Sequence, residues 1–571
     1  MSDDFSKFLA GYEDCKNERS EWEAEWRSVS EFLLPGRGIY QTLSKPRKRK
    51  LTAPKVVNNI AEEALYVLTS GMHGGLTSPS MPWFSLTWAD KRLLQVEPLK
   101  QWLEECERLM HAALHNSEFY SKINSFYTEL CGFGTGCLYV GEDTDDEFTA
   151  FRFELLTAGE YAFTLDSKGQ VATFYRTIFK TPAQVVEMFP KTVSAELKRI
   201  VTERRSGMHR ADCVLLEVVY KQKYQDKKYT RKIYELSSVG GLQSTHFRSY
   251  NQQPLSVEGF YEFPYKAARW DTIGSDVYGI GPGSRALPHI KRLQEMEKAF
   301  LMATHKAVDP PLNIPARMRG KINSLPGGQN FYTNPSEVVS ELYQGRFEYQ
   351  GVTMNIERVE QRIQRVFYND IFLTASRDPN ASPYKATEVM AREQEKMLRL
   401  GPVIERLQFE FLQPLVERCF NIMVRKELFP PLSPELAQLA SDYQIHIVSP
   451  LATAQRAVAL QGINSFMAFI GQAAQFDQTI LDNIDVDEAA REHATISGVR
   501  LGILRTKEAV QTIRQQRQQM QQAEMARQQQ LEEAQVGGQV NLQQASAQKA
   551  QAEAGVTLIE GQQMAQQAGL I

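Results

Sequence analysis

Several groups of residues in this chain are of the types that carry chemistry, and each lacks the spacing or the company that chemistry needs. His73-Gly74-Gly75 is similar to the oxyanion loop of some esterases, where backbone N–H groups stabilise a developing alkoxide. That reaction needs a serine on a GxSxG elbow, and the sequence has none. Gly132-Phe133-Gly134-Thr135-Gly136 lacks the lysine of a phosphate-cradling GxxxxGK loop and precedes a strand, so it reads as a turn. The nine histidines form no HExxH pattern and no His-Cys cluster. The pairs Glu104-Glu105 and Asp145-Asp146 read as solvated faces rather than catalytic acids. A nuclease using those carboxylates is the enzymatic rival, and it predicts metal-dependent activity on DNA. The residues themselves point to no catalytic, cofactor or metal site.

The six cysteines, Cys15, Cys106, Cys131, Cys137, Cys213 and Cys419, are scattered and form no CxxC pair. That argues against a disulfide framework or a zinc site and fits a reducing cytoplasm. The polar N-terminus does not read as a signal peptide. No run approaches the roughly 18 apolar residues of a membrane span. The chain is 571 residues long, 42% apolar and 23% charged, which is enough for several domains with real cores. Its formal charge of −3 does not suit a general nucleic-acid coat, because long-lived phosphate binding needs many clustered cations. The densest basic run, Lys45-Pro46-Arg47-Lys48-Arg49-Lys50, reads as an exposed loop of solvated charge or as a nucleic-acid contact.

The elements that would position any working residue follow from periodicity. Trp22, Trp26, Val29 and Leu33 make one stripe of a helix over 5–34, stopped by Pro35-Gly36. Helices are expected over 60–72, 97–115 and 119–131. Alternation in Phe151–Leu156 and Ala172–Phe179, around the turn Asp166–Gly169, predicts a hairpin, and more strands are expected at 213–222, 229–237 and 256–263. Residues 1–285 thus form a mixed α+β unit. Gly279–Gly283 reads as a loop. Pro288 suits the first turn of a helix that ends before Asp309-Pro310-Pro311. Residues 309–355 are turn-rich. A second helix over 356–375 carries Ile356, Val359, Ile363, Val366 or Phe367, and Ile371. After a break at 377–383, Ser382 caps a third helix, which Gly401-Pro402 kinks or interrupts. No aromatic residue follows Phe476, and 20 of the last 61 residues are glutamine. That end is a helix packed beside copies of itself in a ring, or a disordered polar tail.

Four segments together resemble the head-to-tail connector, or portal, family of short-tailed bacteriophages: Leu76–Phe84 with Phe119-Tyr120 and Phe133–Gly136; Tyr278–Gly283 with Val308–Leu312; Ala386–Val389 with Arg392 and Leu400–Pro402; and Ser449–Gln455. The resemblance implies an α+β, predominantly helical portal fold and a ring, usually of twelve copies, at one capsid vertex of the virion. It implies a wing (1–285), a two-helix stem (286–308 and 356–375), a clip between them (309–355) and a channel loop (376–385). A kinked helix returning to the wing (386–430), a crown (431–510) and a Gln-rich barrel or tail (511–571) complete it. The implied partners are further copies of the chain, double-stranded DNA in the channel, the terminase large subunit, tail adaptor proteins, and major capsid and scaffolding proteins. Assembly would occur in the host cytoplasm, with no cofactor and no membrane. Arg377, Lys385, Asn380 and Ser382 are the expected DNA-channel residues. Lys291, Glu295, Lys298, Arg358, Arg362 and Arg365 are expected to form salt bridges within and between stem helices. Arg317, Arg319, Lys321 and Asn330 are expected to dock motor or tail. Twelve copies would total roughly −36, a charge that lets phosphates slide rather than stick. The rival among virion proteins is an internal core or minor capsid component, which would not need the order helix, clip, helix, loop, kinked helix.

Overall fold

The computed structural model describes residues 2–38, 56–90, 92–93, 96–143, 150–203, 213–237, 253–323, 325, 327–332, 334–335, 338–342, 349–373, 399–432, 434, 443–447, 465–473, 485–496, 505 and 507–567. The chain divides into two units, Met1–Ala89 with Trp102–Arg500, and Asp90–Gln101 with Leu501–Ile571.

The first unit mixes helices and sheets. A five-stranded antiparallel sheet has the order β4 (Tyr161–Leu165), β5 (Val171–Lys180), β6 (Cys213–Tyr220), β7 (Tyr229–Ser237), β8 (Ser256–Phe260). Strand β6 is apolar almost throughout because both its faces are covered. Val214, Leu216 and Val218 pack with Phe5, Tyr12 and Cys15 of helix α1 (Ser2–Phe32). The alternate residues Cys213 and Leu215 pack with Val185 of α5 (Pro182–Met188) and Leu197 of α6 (Ala195–Glu203).

A three-stranded sheet has the order β3 (Phe151–Leu156), β2 (Thr135–Glu142), β9 (Tyr265–Arg269). This corrects the expected hairpin. Its turn is real: Asp166 Oδ1 accepts from the backbone N–H groups of Lys168 and Gln170, and Gly169 has φ +73°. The strands it joins are β4 and β5, whereas Phe151–Leu156 pairs with β2. A turn at Thr157–Glu160, with Gly159 at φ +89°, carries the chain from one sheet to the other.

Helices α2 (Ile60–Leu76), α3 (Glu97–Asn116) and α4 (Phe119–Phe133) end within a few residues of where periodicity places them. One pairing was not anticipated: β1 (Phe84–Trp88) lies antiparallel to β12 (Tyr443–Ile447), so a strand of the expected crown segment is paired into the expected wing segment.

Helix α7 starts at Pro282 and passes through Pro288 to Val308, so Pro282 rather than Pro288 takes the first position. A proline there gives up no bond the helix would make, while Pro288 costs the one to Ser284. Helix α8 spans Tyr349–Val366, earlier at both ends than expected. Gly351 and the β-branched Val352 and Thr353 mask its start in propensity. Its end is set by Tyr368 at φ +56°, before a short α9 (Asn369–Phe372). Gly401-Pro402 opens a helical run to Arg425 that contains a π-turn at Gln408–Leu412. The wider turn precedes Pro414, whose ring would clash with the carbonyl of Glu410 in an unbroken α-helix. What precedes that run, 374–398, lies outside the described residues. None of the six cysteines is in a disulfide, and all six are buried.

In the second unit, Lys507–Gln567 is one helix of 61 residues. At 1.5 Å per residue it is about 90 Å long. None of its described side chains is buried.

Candidate functional site

Helices α7 and α8 pack side by side and form the feature on which any assembly role must turn. Their near ends are anchored by glycine. The carbonyl oxygen of Gly279 and the amide of Gly281 occupy the place of a β-carbon on Gly134, and the carbonyl of Gly132 occupies that of Gly283. The two glycine-rich stretches therefore interlock backbone to backbone. Gly134 caps α4 at φ +83°, Trp270 N donates to its carbonyl (2.8 Å), and Gly279 N donates to Thr135 Oγ1 (2.8 Å). Trp26 Nε1 donates to the Phe133 carbonyl at 3.1 Å, bringing α1 into the same junction. Asp271 ties Arg285 of α7 to Arg406. Arg269 holds Glu410 through three bonds, Nη2 to Oε1 at 2.7 Å and both Nε (3.3 Å) and the backbone N–H (3.0 Å) to Oε2. Gly71 of α2 leaves room for the ring of Phe372.

A polar clasp joins the two helices to residues 57 and 58. Buried Gln294 accepts from the amides of Val57 (2.6 Å) and Asn58 (3.0 Å) and donates to the Asn58 carbonyl (2.8 Å). The Asn58 amide then donates to Glu297 of α7 and Glu360 of α8, both at 2.8 Å. Its oxygen accepts from Ile60 N at 2.9 Å. One side chain thus binds a carboxylate from each helix. Sequence reasoning missed Asn58 and Gln294, and took Glu360 only as one of the interleaved charges of the second helix. The one available signal was polar Gln294 and Glu297 beside the apolar Ile290 and Leu293.

Beyond Gln294 the burial stops. Ile290 and Leu293 are buried, whereas Leu301, Met302 and Val308 are exposed, Val308 at 81%. Phe300 meets Tyr349 edge-on at 6.1 Å. The connection 309–348 has a two-residue ladder, Leu312–Asn313 (β10) with Ser340–Glu341 (β11), and Leu342 N donates to the Pro311 carbonyl at 2.8 Å. None of its described side chains is buried, and Phe331 is 84% exposed.

The expected stem residues fall on this pair. Lys291 donates to Ser28 Oγ at 3.2 Å and lies over the Phe32 ring. Glu295, Lys298, Arg358, Arg362 and Arg365 are exposed. Among the described residues none of these six forms an ion pair within the chain. The four-carbon and guanidinium arms point to solvent instead, at spacings where the apolar stripe, not charge, joins the helices. In the connection, Arg319 and Lys321 are exposed, and the side chain of Arg317 lies outside the described residues. Asn330 is a clamp: its amide donates to the Asn323 carbonyl (2.9 Å) and its oxygen accepts from Asn323 N (2.7 Å). Arg377, Asn380, Ser382 and Lys385 lie outside the described residues.

Among the described residues no group of three or more His, Cys, Asp or Glu side chains could hold a metal ion. No helix there is long and apolar enough to cross a membrane. The helix pair is firmly rooted at one end and has no core at the other, an exposure that marks the class of proteins built to meet other molecules. Residues 6–504 match the family described as bacteriophage head to tail connecting protein. The chain is 31% identical over 524 residues to a protein named "Probable portal protein" from Bordetella phage BPP-1, covering 90% of this chain and 91% of the relative. It is also 31% identical over 529 residues to the "Portal protein" of Salmonella phage epsilon15, covering 91% and 92%. The chain belongs to the family of bacteriophage head to tail connecting proteins.

Proposed function

We propose that the chain is the portal subunit of a tailed phage, forming a ring of about twelve copies at one capsid vertex through which the genome is packaged and ejected. The observation that carries this reading is the coreless outer half of the helix pair with its connection. Ordering about 40 residues costs on the order of 1 kcal/mol each in backbone entropy, which only burial against another molecule can offset. In a ring, the neighbouring copy supplies that burial. The exposed charges of α7 and α8 then meet across the subunit boundary, where Glu295 can face Arg358 or Arg362 of the next copy. The connection, as clip, presents Arg319, Lys321 and the exposed Phe331 and Tyr332 to the terminase large subunit first and to tail adaptor proteins later. Segment 376–385 is the channel loop, with Arg377 and Lys385 nearest the DNA. Residues 1–285 serve as wing, meeting capsid and scaffolding proteins.

Negative-stain images of the purified protein test this. Rings with a central hole of duplex width, about 20 Å or somewhat more, support it; monomers or filaments sink it. Deleting 377–383 should leave rings intact while impairing packaging or DNA retention.

A further inference from the structure

The β6–β7 hairpin carries a concentration of cations that the connector role described above does not use. Five lysines lie at its tip and on the adjoining β4–β5 turn: Lys221, Lys223, Lys227, Lys228 and Lys168. All but Lys227 are exposed, and none forms an ion pair among the described residues. The tip is rigid. Tyr224 and Lys227 exchange two backbone bonds of 3.0 Å around a two-residue turn with Gln225 at φ +54°. Thr230 Oγ1 pins the Gln222 carbonyl at 2.7 Å. Lys227 lies over the Tyr261 ring and Lys228 over the Tyr229 ring. Lys221, Gln222, Lys223, Asp226 and Lys228 line an open cleft of about 370 Å³.

Nearby carboxylates do not cancel the charge. Glu262 is bound by Arg418 and Arg425. Asp166 feels both Lys168 and Lys221 but already accepts two backbone bonds in its own turn. With Asp226 and Glu417 included, lysine remains in excess.

We propose that this hairpin tip is a sequence-independent binding site for the phosphodiester backbone of double-stranded nucleic acid, separate from the paired helices. Lysine ammonium groups are mobile point charges without the planar fork that reads a base edge or a fixed carboxylate, so they suit a repeating phosphate line. A protein partner would need an apolar anchor at the centre of the patch. The large apolar side chain there, Tyr261, has its ring under the Lys227 and Arg425 cations and remains 43% exposed, so it offers a partner a cation-flanked ring and not an apolar anchor. Repeated on every copy of an assembly, the site becomes a basic belt that holds duplex lying against the particle.

Nicked circular duplex tests the site independently of any channel, because a closed circle cannot thread a preformed ring. Retention of such circles by the full-length protein is measured against salt, for the native chain and for K221Q/K223Q/K228Q. Native protein should retain circles at about 0.1 M salt. The variant should lose tenfold or more in affinity, with its salt slope reduced by about 2 to 3, at unchanged assembly state and melting temperature. Equal retention by both proteins overturns the proposal, as does no retention by either. Binding of polyglutamate but not of circles by the native protein also overturns it, in favour of an acidic protein partner. Should the chain prove not to form rings, circles still report on the hairpin, so that failure and this one are told apart.

Discussion

The carbonyl oxygen of Gly279 lies where a β-carbon on Gly134 would have to go. Neither partner is a flexible side chain that could swing aside. Gly134→Ala must therefore move the start of α7 away from the end of α4, and it also strains a φ of +83°. It should cost about 3 kcal/mol or more, read as a lowered urea midpoint. Gly36 shares that φ but has open space around it, so Gly36→Ala should cost only about 1 kcal/mol.

Lys266, on β9, is buried. Burial first, then the neighbouring Arg418 cation, lowers its pKa from 10.5 to about 8. Between those values the unfolded chain holds a proton that the folded chain has released, so stability should rise with pH across that window. Below about 8 both states are charged and the full penalty applies. Lys266→Met should flatten the rise and stabilise the protein at pH 7 by on the order of 2 kcal/mol, measured by denaturant unfolding at pH 7 and pH 9.5.

Asn58 donates to two carboxylates, so Asn58→Asp brings a third negative charge between Glu297 and Glu360. The new carboxyl should have a raised pKa in the folded state, so its cost is full above that pKa and is relieved as pH falls through it. Asn58→Ala should lose about 1 to 2 kcal/mol, and Asn58→Asp more than that at pH 7. Only the Asp variant should regain stability toward pH 4.5. Equal pH profiles for the two would mean that the carboxylates do not face residue 58.

On the proposed reading, in which the exposed charges of α7 and α8 pair across neighbouring copies, ring assembly should be weakened by salt. Arg362→Glu should raise the concentration needed for assembly by about tenfold, and Glu295→Arg in the same chain should restore part of the loss. Sedimentation velocity of the native protein, the two single variants and the double variant reads the coupling.

The helices with a clean apolar stripe were legible in the sequence. Trp26 and Val29 of α1, with Leu33 just past its end, are buried as their spacing required, and so are Ile356, Val359 and Ile363 of α8, with Phe367 just past its end. What escaped depends on contacts between distant segments. The pairing of Phe84–Trp88 with Tyr443–Ile447 spans more than 350 residues, and no local pattern announces it. The glycine stretches 132–136 and 279–283 each read as a turn or loop, since nothing in either one says that the other fills its missing side chains. The clasp at Asn58 was hidden for the same reason. Hydrogen bonds between a loop and two later helices leave no period behind them.

The buried thiols have a practical consequence. Desolvation raises Cys15 to about 11 and Cys106 and Cys419 to about 12, and pushes Cys131 and Cys137 well above the ordinary value. Cys213 is likewise wholly covered. A maleimide near neutral pH meets thiolate slowly and only where it can reach it. One cysteine introduced at Lys223 or Phe331 would then be the sole site to take a dye or a cross-linker, with all six native residues left in place.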